Sequence, residues 1–418
     1  MPGMRHLADL ECPQCERKFY GDLPAGHGLY YPMLIEQDTG TVHDKYNGSW
    51  FANSLRDSYV NRVESQVGFT VEDFRPLKQP VLLNCLDERY GHSLLKLLNA
   101  QYYLDHCPDL DLVVVIPRFL RWMIPDGAAA IWTVDLPLKR GREWNDWLAA
   151  EIKRRIEPVE WCWLSVAFPH PHPEEYDIER FTGVRPFPVE EWNVRLERQT
   201  VTFIWREDYW FEDWAWRDLY RNNRWRRLIR SLKFRLGRVE RPIDGQKQQV
   251  ITLAQTLRRD FPQLDFAVAG VGNPGGFPKW IDDLRTRQIN EQIEIAWCER
   301  YAQSHVVIGV HGSNMLLPSA HAGTVVEFVP VERWGNLIQD MLITAQDVRE
   351  AMYRYVFLSL DTSAMTASGI IASLLRCYSY VSLINFKQEL CNHKVLQRDP
   401  WVILKRRRAL ATSSKDTN

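Results

Sequence analysis

Gln303-Ser-His-Val-Val-Ile-Gly-Val-His311-Gly-Ser-Asn-Met-Leu-Leu-Pro-Ser-Ala-His321-Ala-Gly-Thr-Val-Val-Glu327-Phe-Val-Pro330 decides the fold of this chain. Val306 to Val310 is an apolar run that stops at His311-Gly312. Ser313 to Ala320 is a small-residue segment suited to a short helix, and Thr324 to Val329 is a second β-branched run. Strand, sharp turn, helix and strand make the unit from which parallel α/β sheets are built. The polar residues fall at the carboxyl end of the first strand. Open parallel sheets bind ligands there, because free backbone N–H groups and the helix dipole favour anions. A phosphate-bearing ligand is the first expectation.

Outward from this unit, two runs of alternating strand and helix appear. In the first, Pro80–Leu86 reads as a strand ending in Asp87-Glu88-Arg89-Tyr90-Gly91-His92. Leu94, Leu97, Leu98 and Tyr102 then recur at helical spacing up to Asp105. Strands over 111–116, 129–134 and 161–168 and a helix over 143–156 complete the run. Pro169–Val189, with His170 and His172 among its prolines, reads as a linker. The second run opens with the strand Val201-Thr-Phe-Ile-Trp205 and Arg206. A helix over 246–260, a strand over 264–269, a helix over 280–301 and a helix over 334–343 surround the opening unit. The fold class expected is α/β, two Rossmann-like doubly wound domains facing a cleft. The boundaries expected are an N-terminal extension over 1–78, a first domain over 79–190 and a second over 191–345. C-terminal helices, able to pack back across both domains, and a basic tail fill 346–418.

Composition narrows the function classes. The chain has 418 residues, 45% hydrophobic and 25% charged, which suits a globular protein of about two domains. A net charge of −1 gives no general attraction to nucleic acid or to anionic membranes. The start lacks the apolar core of a signal peptide, and Met365–Phe386 is too interrupted by polar residues to span a bilayer. Eight scattered cysteines fit a reducing compartment, so a cytoplasmic protein is expected. One segment runs against the neutral background. Over 217–242, Arg and Lys are interleaved with Trp225, Leu228, Ile229, Leu232 and Phe234, either as a solvated helix or as a peripheral contact with the inner face of a membrane.

Several residue groups are candidates for chemistry. His311, Gly312, Ser313 and Asn314 sit where a ligand's phosphates would lie, and Gly312 permits close backbone approach. Glu327 is a carboxylate inside an apolar strand and requires a partner, either ribose hydroxyls or an internal arginine. Arg206 follows a buried strand and can neutralise phosphate, or pair with Glu207 or Asp208. His92 and Glu88 are alternatives for a general base. Cys12-Pro-Gln-Cys15 has zinc-knuckle spacing that His27 and His43 would complete, but no second CxxC exists, and two reduced thiols are expected. Gly270-Val-Gly272-Asn-Pro-Gly275 is a literal GxGxxG, discounted as a dinucleotide fingerprint because Pro274 and Pro278 interrupt the helix that should follow.

Ile308-Gly-Val-His311-Gly312-Ser-Asn314-Met315 with Pro318 and Thr324-Val-Val-Glu327-Phe resembles the C-terminal signature of glycosyltransferase family 61. Tyr90-Gly91-His92-Ser-Leu-Leu resembles its N-terminal turn into a helix, and Phe203-Ile-Trp-Arg206 resembles its strand and phosphate-binding arginine. The three patches lie within residues 80–345. The resemblance implies a GT-B fold and metal-independent, inverting sugar transfer from a nucleotide-sugar to a glycan or glycoconjugate hydroxyl. It places His311, Gly312, Ser313 and Asn314 on the donor's diphosphate or nucleoside, Arg206 on phosphate charge and Glu327 on ribose. No bound cofactor is implied. Two rivals stand beside it: an NAD-type oxidoreductase using the Gly270 loop, and a GT-B-like scaffold without activity at a membrane surface.

Overall fold

A computed structural model describes residues 4–45, 50–192, 198–207, 211, 242–343, 345 and 348–377. The Arg-rich segment over 217–242 lies outside the described residues except for Pro242, and so does the basic tail. Among the described residues no helix is long and apolar enough to cross a membrane.

The second half forms the sheet announced by its sequence. Strands β10 (Thr200–Trp205), β11 (Asp265–Val271), β12 (Ile281–Thr286), β13 (Val306–Val310), β14 (Thr324–Val329) and β15 (Tyr355–Ser359) are ordered β12-β11-β10-β13-β14-β15. Every neighbour pair is parallel. In chain order this is 3-2-1-4-5-6, the Rossmann arrangement, which reverses direction between β10 and β13. Alternate residues serve opposite faces. Val201, Phe203 and Trp205 pack with helices α7 (Pro242–Asp260) and α11 (Ala364–Cys377), while Ile204, Val307 and Val325 pack on the other side. Each such side chain, fully buried, contributes roughly 1.5–3 kcal/mol.

The first half repeats the design on a smaller scale. β5 (Gly68–Asp73), β6 (Pro80–Asn84), β7 (Asp111–Pro117), β8 (Ala130–Asp135) and β9 (Trp163–Leu164) are ordered β5-β8-β7-β6-β9. All pairs are parallel except β5–β8. Here too the winding reverses, between β6 and β9. Helix α3 (Tyr90–Leu98) covers one face through Leu94 and Leu97, and α5 (Asp146–Ile156) covers the other through Leu148 and Ile152.

Several expectations need correction. The N-terminal extension expected over 1–78 is not a separate appendage among its described residues: β1 (Leu7–Glu11), β2 (Lys18–Asp22), β3 (Met33–Glu36) and β4 (Val42–Asp44) make an antiparallel sheet, with helices α1 (His27–Tyr30) and α2 (Trp50–Val60), and β5 belongs to the first α/β sheet. The helical pattern after His92 divides at Asn99 into α3 and α4 (Ala100–His106), and the Asn99 amide donates to Leu95, Lys96 and Phe168 carbonyls. The supposed linker over 169–189 buries Ile178 and Phe181 from helix α6 (Ile178–Thr182), and Phe187. The helix expected over 280–301 is β12 followed by α8 (Glu291–Ala302). The 334–343 helix is a run of 3-10 turns over Val331–Asp340, kinked at Asn336. Beyond 345, β15 completes the second sheet after α10 (Val348–Arg354), and α11 packs on α7, where Ser368 Oγ donates to the Leu253 carbonyl at 3.2 Å. The described part of the C-terminal helix, Ala364–Cys377, therefore packs on the second sheet's layer, and the residues after it lie outside the described residues.

The carboxyl ends of the two sheets meet. A Cβ on Gly91, at the start of α3, would lie 2.8 Å from Ser313 Cβ, so only glycine lets these turns touch. Leu94 and Leu97 share a buried cluster with Cys298, with Leu316 and Leu317 of helix α9 (Leu316–His321), and with Leu342. Trp122 Nε1 donates across the interface to Glu294 at 2.7 Å.

Candidate active site

The wall contributed by the first domain is organised by a carboxylate that sequence reasoning passed over. β6 ends at Asn84, and the chain turns through Asp87, whose side chain is 1% exposed. Oδ2 of Asp87 accepts from Lys96 Nζ at 2.8 Å and pairs with His27 Nε2 at 2.9 Å. Oδ1 pairs with His92 Nδ1 at 3.2 Å and accepts from the Arg89 backbone N–H at 3.1 Å. Burial pushes this carboxyl up, but the Lys96 ammonium and the His27 and His92 bonds outweigh it, and the group ends well below the ordinary carboxylate range. Asp87 is therefore ionised, so His92 keeps its proton on Nδ1 and turns Nε2 away from the carboxylate. His92 remains 25% exposed. His170, on the chain that follows β9, feels the charge of His92, and its own value is lowered, by burial first and then by His92. His92 and His170 thus flank the point where the winding of this sheet reverses.

Glu88, the other candidate base, is held differently. Its Oε2 lies 3.4 Å from Arg142 Nη1 and its Oε1 3.8 Å from Arg89 Nε, with the side chain 10% exposed. Among the described residues its Oε1 has no hydrogen-bond partner. Its two oxygens are thus turned towards Arg142 and Arg89.

The second wall grows from the switch point between β10 and β13. Arg206 follows β10, and its carbonyl accepts from Gln246 Nε2 at 3.0 Å, which fixes the backbone there. Its guanidinium donates to the His311 carbonyl and, at 3.0 Å, to Asn314 Oδ1. Gly312 has φ +145°, and a Cβ on it would fall 2.4 Å from Arg206 Nη1. Glycine is favoured there because L side chains rarely adopt this φ, and the Arg206 tip takes up the space left beside it. Asn314 also donates from Nδ2 to the Val310 carbonyl at 3.3 Å, so both ends of its amide lock the turn. The helix expected after Gly312 is one 3-10 turn, Ser313–Met315, followed by the six-residue α9. So short a helix supplies little dipole, and positive charge at this wall rests on Arg206.

Behind the turn, His311 Nδ1 pairs with Glu327 Oε1 at 2.9 Å and lies 3.5 Å from Asp340 Oδ2. Tyr355 donates its hydroxyl to Glu327 Oε2 at 2.7 Å. Glu327 is fully enclosed with both oxygens engaged. The ribose contact expected for Glu327 would need one of these oxygens, and both are engaged within the chain, by His311 and Tyr355. Burial first, then the neighbouring Glu327, lifts the Asp340 carboxyl to about 6, against the pull of His311, Arg206 and His92. The effect of His92 places the two walls within electrostatic reach of each other.

That shift has a measurable consequence. An acid whose folded value is raised contributes stability below its unfolded value near 3.8, and that stability is lost as pH rises through about 6. Asp340→Asn removes the loss. The variant is expected to exceed the wild type in stability above pH 6, by up to about 3 kcal/mol, and the gap should close towards pH 4. Urea unfolding of both proteins across this range measures it. A constant difference between them would dismiss the buried-acid account.

Among the described residues, two sets of side chains have the spacing of metal ligands, His27, Asp87 and His92 in one and His311, Glu327 and Asp340 in the other. In the first, the Lys96 ammonium 2.8 Å from Asp87 already compensates the charge and repels a cation. The second offers one nitrogen and two carboxylates, a donor set a divalent cation accepts. The zinc set considered from sequence is not assembled, since His27 pairs with Asp87, His43 pairs with Glu36 at 3.0 Å, and Cys12 and Cys15 lie in the turn between β1 and β2. The single literal Asp-x-Asp, Asp109-Leu-Asp111, opens β7 at the opposite edge of its sheet, with Asp111 tied to Arg75 and to the backbone of Lys78 and Gln79. The Gly270 loop runs into strand β12 and not into a helix, so it lacks the helix N-terminus that a dinucleotide fingerprint needs.

No protein-family model matches the chain, and no curated protein matches it. Among solved structures, it is similar to one described as the structure of E. coli ADP-heptose lps heptosyltransferase II. That match is 10% identical, covers 72% of this chain and 98% of the other, and has a TM-score of 0.37. A likeness this distant carries no argument, and membership of family 61 has no family model behind it. What the molecule does must be read from its own two walls.

Proposed function

We propose that this protein is a glycosyltransferase that moves a sugar from a nucleoside-diphosphate sugar to an acceptor hydroxyl. The observation that carries the proposal is the His92–Asp87 pair, 3.2 Å apart, at the carboxyl edge of one Rossmann-like sheet, facing the Arg206 and His311–Asn314 turn at the switch point of the other. A histidine fixed by a buried carboxylate through one nitrogen is suited to take a proton with the other. A guanidinium fixed at the switch point of a parallel sheet is suited to meet negative charge on a departing diphosphate.

In the step proposed, His92 Nε2 accepts the acceptor hydroxyl proton as that oxygen bonds to the anomeric carbon. The bond from that carbon to the diphosphate oxygen breaks, its electron pair leaves with the nucleoside diphosphate, and Arg206 stabilises the new charge. One displacement inverts the anomeric centre. His92 is assigned the base in preference to Glu88, which Arg142 and Arg89 engage. Arg206→Ala does not isolate the phosphate contact. Because this arginine ties the 311–314 turn in place, the variant would lose fold stability together with turnover, and Arg206 is for that reason a poor first probe.

The test is a thermal-shift screen of the full chain against UDP, GDP, CMP, ADP, TDP and NAD. A ligand bound only by the folded state raises the melting point by mass action. One nucleoside diphosphate is expected to raise it, naming the donor's base. A shift with NAD alone would establish the oxidoreductase in its place, and no shift with any of them would leave the scaffold.

A further inference from the structure

We propose that the N-terminal antiparallel module is part of the active site: its His27 is a positioning residue that holds Asp87 so that Asp87 can fix the orientation and tautomer of His92. The proposal rests on the reading of His92 as the proton acceptor and adds a residue to it from sixty positions upstream.

The local sequence is built to deliver this one ring. Ala25-Gly26-His27-Gly28 forms the turn into α1, and the glycines on either side of the histidine are both required. Gly26 has φ +55°, and a Cβ on Gly28 would lie 2.4 Å from the Leu23 carbonyl oxygen. The Gly26 N–H donates at 2.7 Å to the carbonyl of Val166, on the chain just beyond β9, so the turn is fastened to the first domain beside the ring it presents. The module is anchored further away as well. Tyr20 and Tyr59 pack on the Trp144 ring at 5.1 and 4.9 Å, and Val63 donates to the Trp144 carbonyl at 2.9 Å. A turn confined this tightly around a polar side chain points to a use for that side chain.

His27 is 7% exposed, and its ring centroid is 5.1 Å from that of His92. Burial first, and then the Lys96 charge, bring the His27 imidazole down to about 4 against the pull of Asp87. It is therefore neutral at ordinary pH and meets the ionised Asp87 as an Nε2–H donor. Lys96 supplies the compensating charge and His27 the direction. Both bonds fall on Oδ2, leaving Oδ1 to His92 and the Arg89 N–H. Without the His27 bond, Oδ2 is left to the flexible Lys96 ammonium alone, and the acceptor of the His92 Nδ1–H is fixed less closely, by the Arg89 N–H. Free imidazole favours the opposite tautomer, with the proton on Nε2, which cannot accept one. The charged and titratable groups around His92 are then Asp87, Lys96 and His27, His170 beyond β9, and Asp340 across the cleft.

Two polar substitutions separate positioning from bulk packing. Glutamine places its amide nitrogen near the site of Nε2 and keeps the donor, whereas asparagine is too short to reach Asp87. In 15N-histidine spectra, wild type and His27→Gln are expected to show His92 as the Nδ1–H tautomer, and His27→Asn a mixture. Turnover in His27→Asn is expected to fall about tenfold, with KM for the acceptor within about twofold, and to recover in His27→Gln. A pure Nδ1–H signal for His92 in folded His27→Asn would overturn the proposal. So would an equal loss of turnover in both variants. If the spectra behave as expected while neither wild type nor variants transfer a sugar, the positioning role stands and the transferase assignment fails. Should His27→Asn not fold, His27→Thr, which also lacks reach, takes its place with the same expected spectra.

Discussion

His92→Ala is expected to cut sugar transfer by about 10²–10⁴-fold, the usual contribution of a positioned general base, while leaving both the fold and donor binding in place. The side chain is one-quarter exposed, so its removal opens no deep cavity. Asp87 keeps three other donors, Lys96, His27 and the Arg89 N–H. Whatever nucleoside diphosphate stabilises the wild type should stabilise the variant by nearly the same margin, because the wall assigned to it belongs to the other domain. The measurements are steady-state transfer and the nucleotide-dependent melting shift, made on the same preparations. A variant that transfers normally would shift the base to Glu88, whose replacement would then have to silence the enzyme. One that also loses the nucleotide shift would mean that His92 belongs to the donor site.

The second large effect is on stability. Asp87→Ala strands the Lys96 ammonium, 1% exposed, with the Leu86 carbonyl at 3.1 Å as its one remaining partner among the described residues. Removing one member of a buried ion pair costs about 3–5 kcal/mol, because the remaining charge stays desolvated. Lys96→Met in the same background should recover much of that, since an apolar side chain of similar length needs no partner. Denaturant unfolding of the wild type, the single variant and the double variant decides the matter. A double variant no better than the single would show that the loss comes from the turn and not from the stranded charge. The pH dependence carries the same information. Asp87 has a depressed folded value, so its stabilisation is present above the unfolded value near 3.8 and is lost as pH falls through the folded one. Asp87→Ala should lack that acid limb.

Much of the second domain was legible in the sequence because its strands are buried on both faces and read as continuous apolar runs. Val306–Val310 and Thr324–Val329 are such runs, and both strands match their expected limits. β15 was missed because Tyr355–Ser359 is half-buried at a sheet edge and follows a short helix, so neither length nor hydropathy marks it. The N-terminal sheet escaped for a related reason: strands of three to five residues leave too little pattern to count. β12 was read as helix because Ile281-Asp-Asp-Leu-Arg-Thr286 has the composition of a helical turn, and only its pairing with β11 holds it extended.

The site divides along the same line. His92, Arg206 and the His311–Asn314 turn were singled out from sequence because polar residues at the ends of apolar strands require an explanation. Asp87 was visible in the same turn but looked like any loop carboxylate. Its importance comes from His27, Lys96 and His92 converging on it, and no local pattern records that convergence. Tyr355 and Asp340 have no sequence signal of their own, and neither does Gln246, which appeared only as part of a helix.

The sequence by itself determined that this is an α/β protein with two Rossmann-like sheets and with polar residues gathered at the carboxyl ends of their strands. Strand burial, helical spacing and glycine punctuation are local properties, and a single stretch of chain carries them. Only the tertiary structure decided which polar groups share charge. Asp87 lies five residues from His92 but sixty from His27, and His311 meets Glu327 and Asp340 across sixteen and twenty-nine residues. Buried electrostatics depends on distance through space and on the loss of water, and neither quantity exists until the chain has folded.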